Sequence, residues 1–193
     1  MSYKHFDDLF SVYSSLTSDD SFTYMVFDKF EKVECFKLFF ENMIKSIDPY
    51  YLAIIDNKSK KAIGSFALMR IDKNNRVIEI GSILYSDILK KSKMATEAQY
   101  LIMKYVFEDI KYRRYEWKCD NYNEPSKRAA KRLGFKYEGL FRKAMVYKGR
   151  NRDTAWFSII DDEWKLLKNK FEAWLEDSNF DKEGKQIKAL NEL

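Results

Sequence analysis

The sequence is poor in the residues that build disulfide, metal and long-loop architectures. It has one histidine, two cysteines, two prolines and six glycines among 193 residues. Cys35 and Cys119 cannot make a disulfide framework, and with His5 they cannot supply the four ligands of a structural zinc site. We therefore expect no metal centre. The scarcity of proline and glycine also argues against a long linker, so a single domain is expected.

Long apolar runs are missing as well. The N-terminal stretch "MSYKHFDDLF" has no apolar signal core, and no run approaches the about 20 residues that cross a bilayer. Hydrophobic residues nevertheless make up 46% of the chain and aromatic residues 17%, which is enough to bury a core. These features predict a cytoplasmic protein that does not enter a membrane.

Positive charge is concentrated in one part of the chain. The formal net charge is +5, yet residues 111–152 hold 14 Lys/Arg against 4 Asp/Glu, a local balance of +10. The rest of the chain therefore carries about −5. Such a basic block attracts phosphate-rich ligands, nucleic acid or acidic proteins, and a solvated charged face is the simpler alternative.

The hydrophobic periodicity predicts one α/β (α+β) domain with the element order αα-βββ-α-β-α-ββ-α. Helical periods fall at 5–16, 29–47, 94–109, a stretch of about ten residues after Asn123, and 161–176. Strand-like runs fall at 50–56, 62–72, 76–84, 113–120, 135–149 and 153–160. The domain is expected to span residues 1–177. The polar tail, 178–193, is expected to form a weakly held helix or to fray.

One helix start is unusually well specified. In "DNYNEPSKRAAKRLGFKYEG" Asn123 is a favoured N-cap residue, Pro125 fits the first turn, and Ser126 can bond a backbone group there. Good capping alone explains this pattern structurally. A second strand-to-helix junction, however, carries Lys90, Lys91 and a further lysine before the helix at 94–109. A helix N-terminus flanked by cations binds phosphate, and ligands collect where strands end in open α/β sheets.

Several short motifs, in order and spacing, resemble the GCN5-related N-acetyltransferases, and within them the RimJ/RimL-like ribosomal-protein alanine acetyltransferases. The motifs are EIG at 79–81, ATEA at 95–98, N-x-x-S-x-x-x-A-x-x-x-G-F at 123–135, YEG-x-x-R at 137–142, RD at 152–153 and DDEW at 161–164. The resemblance implies a single GNAT-like domain with a mixed central sheet, splayed parallel strands and flanking helices. It also implies acetyl-CoA as donor and an amine as acceptor.

The resemblance places the pyrophosphate on the backbone N–H groups from Lys90 to Ala95 and the pantetheine arm between the strands at 76–84 and 113–120. A backbone N–H near Ser82–Leu84 would stabilise the charge that develops on the thioester oxygen. The full set of cofactor-binding residues expected is Ser82, Ile83, Leu84, Lys90, Lys91, Ser92, Lys93, Met94, Ala95, Thr96, Asn123 and Ser126.

Two positions depart from the family pattern. Lys93 stands where the pyrophosphate loop usually has glycine, so a side chain falls where the backbone should approach phosphate closely. Ala130 stands where many relatives have the tyrosine that protonates the leaving thiolate. Ser126, one turn earlier on the same face, is the predicted replacement.

The acceptor amine must be neutral to attack, and no histidine lies in the motif region. Glu79 is the predicted base, acting through water, and its alternative is a strand-face carboxylate paired with a lysine or arginine. Cys119 has no base beside it, so a buried structural thiol is favoured over an acyl-enzyme role. Tyr115 and Trp117 are predicted to line the acceptor pocket, with a place in the aromatic core as the equal alternative.

Two other functions stay open at this point. The first is a nucleic-acid-binding module that uses the basic block, which is the less favoured reading because no recognised binding signature accompanies it. The second is a catalytically silent acetyltransferase fold that only binds CoA. The acceptor is equally open: a protein N-terminus, an aminoacyl nucleotide, a polyamine or another small amine. The oligomeric state is open too, with a homodimer among the alternatives.

Overall fold

The computed structural model describes residues 1–193, which form a six-stranded sheet flanked by helices. The helices are α1 (Phe6–Tyr13), α2 (Val33–Lys45), α3 (Lys93–Lys104), α4 (Glu124–Arg132) and α5 (Asp161–Leu175). The strands are β1 (Tyr50–Ile55), β2 (Ala62–Asp72), β3 (Val77–Tyr85), β4 (Arg114–Asp120), β5 (Lys136–Tyr147) and β6 (Arg150–Ile160). This order confirms the predicted α/β class. No helix combines the length and the apolar character that crossing a bilayer requires.

The helix predicted at 94–109 changes its winding part of the way along. It is α-helical to Lys104 and continues as one π-helical turn over Tyr105–Asp109. The wider turn is closed by the Ile110 N–H, which donates to the Tyr105 carbonyl at 3.1 Å. Val106 and Phe107 are both buried. The extra residue in the π-helical turn thus accommodates two consecutive apolar side chains in the core.

The sheet has the order β1-β2-β3-β4-β6-β5, and β3 and β4 are its one parallel pair. Their ladder runs from Val77↔Arg114 to Ile80↔Trp117 and then stops. Both strands continue beyond that point, β3 to Tyr85 and β4 to Asp120. The two strands therefore part at their carboxyl ends and open a wedge in the sheet.

A β-bulge in β3 accounts for this parting. The β2–β3 register passes from Ala67↔Gly81 to Ser65↔Leu84, so two residues of β3 face one residue of β2. Ser82, one of the two, has a φ of +48°, in the left-handed region. A bulge of this kind bends its strand and increases its twist, which turns the end of β3 away from β4.

The sheet separates two apolar clusters, because successive side chains of a strand face opposite sides. Phe66 of β2 belongs to the larger cluster, which also contains Phe171 of α5. Its neighbour Ser65 points to the other side, where its hydroxyl hydrogen-bonds the buried Tyr13 phenol at 2.8 Å. Tyr13 belongs to the smaller cluster beneath α1 and α2.

The tail differs from the expected weak helix or frayed end, because a buried asparagine organises it. The Asn179 amide donates to the carbonyls of Trp174 and Lys188 at 3.1 and 3.2 Å, and its oxygen accepts from the Lys188 N–H at 2.9 Å. Leu190 is then buried in the larger cluster. A polar residue at the centre of a turn leaves no apolar period, which is why the composition of the tail resembled that of a loose end.

Candidate active site

A cleft of about 940 Å³ opens where β3 and β4 part, between the first turns of α3 and α4. Most residues predicted to bind a cofactor line it: Ile83, Leu84, Lys90, Lys91, Ser92, Lys93, Ala95, Thr96, Asn123 and Ser126. Ser82 and Met94 do not. Ser82 is the bulge residue, and Met94 packs against the larger apolar cluster. The cleft thus brings together two sequence segments that lie about thirty residues apart.

The start of α3 is capped and faces this cleft. The Ser92 hydroxyl oxygen accepts from the Ala95 N–H at 3.1 Å, and its proton is donated to the Leu89 carbonyl at 2.7 Å. Lys91 has a φ of +59° and makes no ion pair. An unpaired lysine at the positive end of a helix dipole is a suitable partner for a phosphate.

Lys93, which stands at the family's glycine position, directs its charge toward the tail. Its Nζ lies 2.7 Å from the Asp177 carboxylate and 4.6 Å from the centre of the Phe180 ring. The side chain is therefore held by residues beyond α5. The neighbouring Lys90 also has partners: its Nζ lies 2.6 Å from the Asp87 carboxylate and 2.5 Å from the Ser21 hydroxyl. Of the three lysines around this helix start, Lys91 alone has no carboxylate partner.

The start of α4 supplies a serine hydroxyl to the same cleft. Asn123 caps the helix by accepting from the Ser126 N–H at 3.1 Å. The Trp117 indole N–H donates to the Ser126 hydroxyl oxygen at 2.9 Å. That bond uses a lone pair of the oxygen and not the hydroxyl proton, which can be donated to a ligand or to the adjacent Cys119 sulfur. Burial raises the pKa of the nearby Cys119 thiol, so this cysteine is a neutral side chain of the core.

Glu79 lies outside the residues that line the cleft, in a buried cluster of charges. Its carboxylate is 2.8 Å from the Lys118 Nζ and 3.1 Å from Arg70. Burial raises the pKa of Glu79, and the two cations oppose that rise. Lys118 also lies 2.7 Å from Glu116 and 3.8 Å from the centre of the Trp156 ring. The surroundings of Glu79 are therefore those of a carboxylate paired with a lysine and an arginine. The role of Glu79 as a base stays a prediction.

The two aromatic residues predicted for the acceptor pocket have different positions. Trp117 lines the cleft, as its bond to Ser126 requires. Tyr115 is fully buried between Phe107 and Phe135, with ring centres 6.2 and 5.5 Å away, and its hydroxyl has no hydrogen-bond partner. The position of Tyr115 fits the core alternative.

The segment between α1 and α2 contributes Ser21, Tyr24 and Met25 to the lining of the cleft. The Tyr24 hydroxyl donates to the Tyr122 carbonyl at 2.9 Å, and Lys148 donates to the Phe22 carbonyl at 2.9 Å. These partners are 98 and 126 residues apart in sequence, so no local pattern could reveal them. The segment ties the α1–α2 region to the β4–α4 loop and to the β5–β6 hairpin.

The far end of the cleft is formed by α4, α5 and the tail, and these residues were also missed. They are Arg128, Ala129, Arg132, Leu133, Trp174, Phe180, Gly184, Lys185 and Gln186. The cations among them belong to the predicted basic block or to the polar tail. Their basic and aromatic composition was the one feature of the sequence that pointed to a binding surface. It did not indicate which of these residues share that surface.

The basic block is partly neutralised by carboxylates. Six of its 14 cations are ion-paired: Arg114, Lys118, Lys127, Lys136, Lys148 and Arg150. Their partners come from several elements, including Glu163 of α5 and Asp28 of the α1–α2 segment. A nucleic-acid surface needs a run of free cations, and this pairing interrupts it.

A mixed sheet with one parallel pair that parts beside a capped helix start defines the class of the protein as an acetyltransferase-type α/β fold. The comparison with protein families agrees: residues 1–136 match the family model described as an acetyltransferase (GNAT) domain. That is more than half of the chain. The chain belongs to the GNAT acetyltransferase family.

Relatives of known name support this assignment. A crystal structure of a GCN5-related N-acetyltransferase from Brucella melitensis is 49% identical, covers 98% of this chain and 86% of that one, and superposes with a TM-score of 0.96. The N-acetyltransferase p20 of Bacillus licheniformis, named as uncharacterized, is 32% identical over 58% of this chain. YdaF of Bacillus subtilis, provisionally named a ribosomal N-acetyltransferase, is 28% identical over 53%. The matches span 62% and 55% of the lengths of these two curated relatives.

Proposed function

We propose that this protein transfers an acetyl group from acetyl-CoA to an amine by direct attack of the amine on the thioester. The observation that carries the proposal is the end of the β3–β4 ladder at Ile80↔Trp117, beside two capped helix starts that face one cleft. Strand edges without a partner, a helix N-terminus and a serine hydroxyl are then available together. Membership of the GNAT family supports acetyl transfer as the reaction class. The geometry of the cleft supports the positions that we propose for the parts of acetyl-CoA.

The cleft fits the three parts of acetyl-CoA. Its volume of about 940 Å³ lies in the upper range of small-molecule sites. Lys91 and the first N–H groups of α3 offer charge and donors to the pyrophosphate. Beyond Ile80, the edges of β3 and β4 that face each other have no strand partner, so they can bond the amides of the pantetheine arm. The acetyl group would then reach Ser126.

The chemistry assigns a task to each group. The neutral amine nitrogen bonds to the thioester carbon, and a backbone N–H near Ser82–Leu84 stabilises the negative charge that develops on its oxygen. As the carbon–sulfur bond breaks, Ser126 donates its proton to the thiolate and regains one from water. The proton lost by the amine passes through water to Glu79 or directly to solvent. The products are an acetylated amine and free CoA.

The acceptor we propose is a primary amine, either a protein N-terminus, as the RimJ/RimL resemblance suggests, or a small amine. The α1–α2 segment lines the cleft with Tyr24, and the bonds of Tyr24 and Lys148 hold this segment to the β4–α4 loop and to the β5–β6 hairpin. We expect the α1–α2 segment and the hairpin beside it to contact the acceptor.

The test is an assay of acetyl-CoA-dependent thiol release over a panel of N-terminal peptides, polyamines and small amines. At least one amine should increase thiol release above the hydrolysis rate and should gain one acetyl group by mass spectrometry. Ser126→Ala should slow that release while binding of acetyl-CoA persists. Binding of acetyl-CoA with no release for any amine would instead support the silent CoA-binding fold, and no binding at all would reject the proposal.

A further inference from the structure

Arg132 is a half-buried cation that has no carboxylate partner. Its guanidinium donates to the Thr96 hydroxyl at 3.1 Å and lies 4.9 Å from the centre of the Trp174 ring. Burial lowers the pKa of Arg132, because the protonated guanidinium loses solvation when it leaves water. A charge removed from water without a partner is costly, so this position suits an anion supplied from outside the chain.

Two further cations at the same end of the cleft are also without ion pairs. Arg128 lies one turn before Arg132 on α4, and Lys185 lies in the tail. Both line the cleft. Six other cations of the basic block have carboxylate partners and six do not, so what distinguishes Arg128, Arg132 and Lys185 is that these unpaired cations all line the cleft.

The tail forms a fixed wall at this end of the cleft. We use the name tail wall for Asp177, Phe180, Lys185 and Gln186. The Phe180 ring packs edge-on against Trp174 with ring centres 5.0 Å apart, and the Trp174 indole N–H donates to the Gln186 side chain at 3.0 Å. Asp177 and Phe180 also hold Lys93 at the start of α3. The wall is thus joined to α5 and to the helix start that would hold the pyrophosphate.

The distance along α4 between Ser126 and Arg132 indicates the direction in which the cleft extends. Arg132 lies six residues after Ser126, about 9 Å along the helix axis at 1.5 Å per residue. A ligand with its thioester at Ser126 and its pyrophosphate at α3 has its nucleoside end beyond the pyrophosphate, away from the opening between β3 and β4. The tail wall and the three unpaired cations are the groups at that end.

We propose that Arg128, Arg132 and the tail-wall residue Lys185 form a subsite for the 3′-phosphate on the adenosine end of CoA, with Trp174 and Phe180 as its apolar floor. This inference rests on the proposed function, because it assumes that CoA occupies the cleft. It goes beyond the family match, which ends at residue 136 and does not include the tail. The tail is thereby a part of the cofactor site that selects the 3′-phosphorylated form.

The experiment compares the binding of CoA and of 3′-dephospho-CoA by isothermal titration calorimetry. The unaltered protein should bind CoA about tenfold more tightly, since charge-assisted bonds to the phosphate are lost with dephospho-CoA. Lys185→Glu and Arg128→Glu should each reduce this preference to less than about threefold. Both side chains are on the surface, so the variants should fold, and their melting temperatures verify this.

Matched controls reverse the charge of neighbours that do not line the cleft. Lys182→Glu lies in the same turn as Lys185, and Lys131→Glu lies on α4 beside Arg128. Both should keep the full preference for CoA. Equal binding of the two ligands by the unaltered protein would overturn the subsite and leave the proposed function intact, as would a preference that survives in both test variants. Failure to bind CoA in any form would overturn the proposed function itself.

Discussion

The indole N–H of Trp117 donates a hydrogen bond to the hydroxyl of Ser126 at 2.9 Å, joining β4 to the first turn of α4. Both side chains line the cleft in which β3 and β4 part. The bond fixes the position of the serine oxygen and does not use the serine proton. Trp117 thereby acts as a positioning residue for the group that we assign to protonate the thiolate.

Ser126→Ala removes that proton donor and should lower kcat by about a hundredfold, with a much smaller change in the KM for acetyl-CoA. Trp117→Phe keeps the hydroxyl and loses only its orienting bond, so kcat should fall less than in Ser126→Ala. Steady-state kinetics of both variants at saturating acceptor amine makes the comparison. An unchanged kcat in Ser126→Ala would show that Ser126 has only a structural role at the start of α4.

Reversing charge at the start of α3 should weaken cofactor binding in a graded way. Lys91 has no ion pair, whereas Lys93 is bound to Asp177, so Lys91→Glu should raise the Kd for acetyl-CoA more than Lys93→Glu does. About tenfold is expected for Lys91→Glu, because a charge-assisted bond to phosphate is replaced by repulsion. The readout is the concentration-dependent rise in melting temperature with acetyl-CoA.

Lys104→Glu is the control for these two variants, because it reverses a charge at the other end of α3, outside the cleft. It should respond to acetyl-CoA as the unaltered protein does. A similar loss of binding in all three variants would mean that net charge, and not the helix start, determines affinity.

Glu79→Gln tests whether this buried carboxylate accepts the amine proton. If it does, the rate near neutral pH should fall by about a hundredfold and recover at higher pH, where free amine is abundant. Burial raises the pKa of Glu79, so the acidic limb of kcat/KM should lie above the usual range for a carboxylate in the unaltered protein. Parallel pH profiles with less than about a threefold offset would make Glu79 a structural partner of Lys118 and Arg70.

Glu138 should make folding stability depend on pH. The Arg114 guanidinium and the Ser158 hydroxyl lower the pKa of Glu138 to about 2, from an ordinary value of 4.5. The unfolded chain therefore takes up a proton at higher pH than the folded one, and the stabilisation present above pH 4.5 is lost as pH falls toward 2. Glu138→Gln should cost about 0.5–1 kcal/mol at pH 7, since the pair is partly exposed and screened by solvent.

Urea unfolding of the unaltered protein and of Glu138→Gln at pH 7, 5 and 3 measures this effect. The difference in unfolding free energy should narrow between pH 5 and pH 3. Glu31→Gln, at an exposed carboxylate without an ion pair, is the matched control, and its difference in unfolding free energy from the unaltered protein should stay close to zero at all three pH values. A difference for Glu138→Gln that is constant with pH would show that the Arg114 pair does not contribute to stability.

The order of elements and the two helix starts were predictable because they depend on local chemistry. Periodicity located α2 and α3, and the capping residues Ser92 and Asn123 marked two places where a strand ends and a helix begins. The π-helical turn at Tyr105–Asp109 was not predictable, because its apolar period is close to that of an α-helix.

Other features depend on register and on long-range contacts, which the sequence does not display. Glu79 was expected beside the cleft, yet the register Glu79↔Glu116 places Lys118 against its carboxylate. The tail was expected to be loose, yet Asn179 and Leu190 pack it against residues distant from any motif. Each of these contacts joins residues that come together only in the folded domain, so the local sequence could not reveal it.

The most direct test of the central claim is a calorimetric titration of the unaltered protein with acetyl-CoA. We predict saturable binding at one site per chain, weakened when Lys91→Glu removes the unpaired cation at the start of α3. The absence of any saturable heat under conditions in which the protein is folded would contradict the assignment of this cleft to acetyl-CoA.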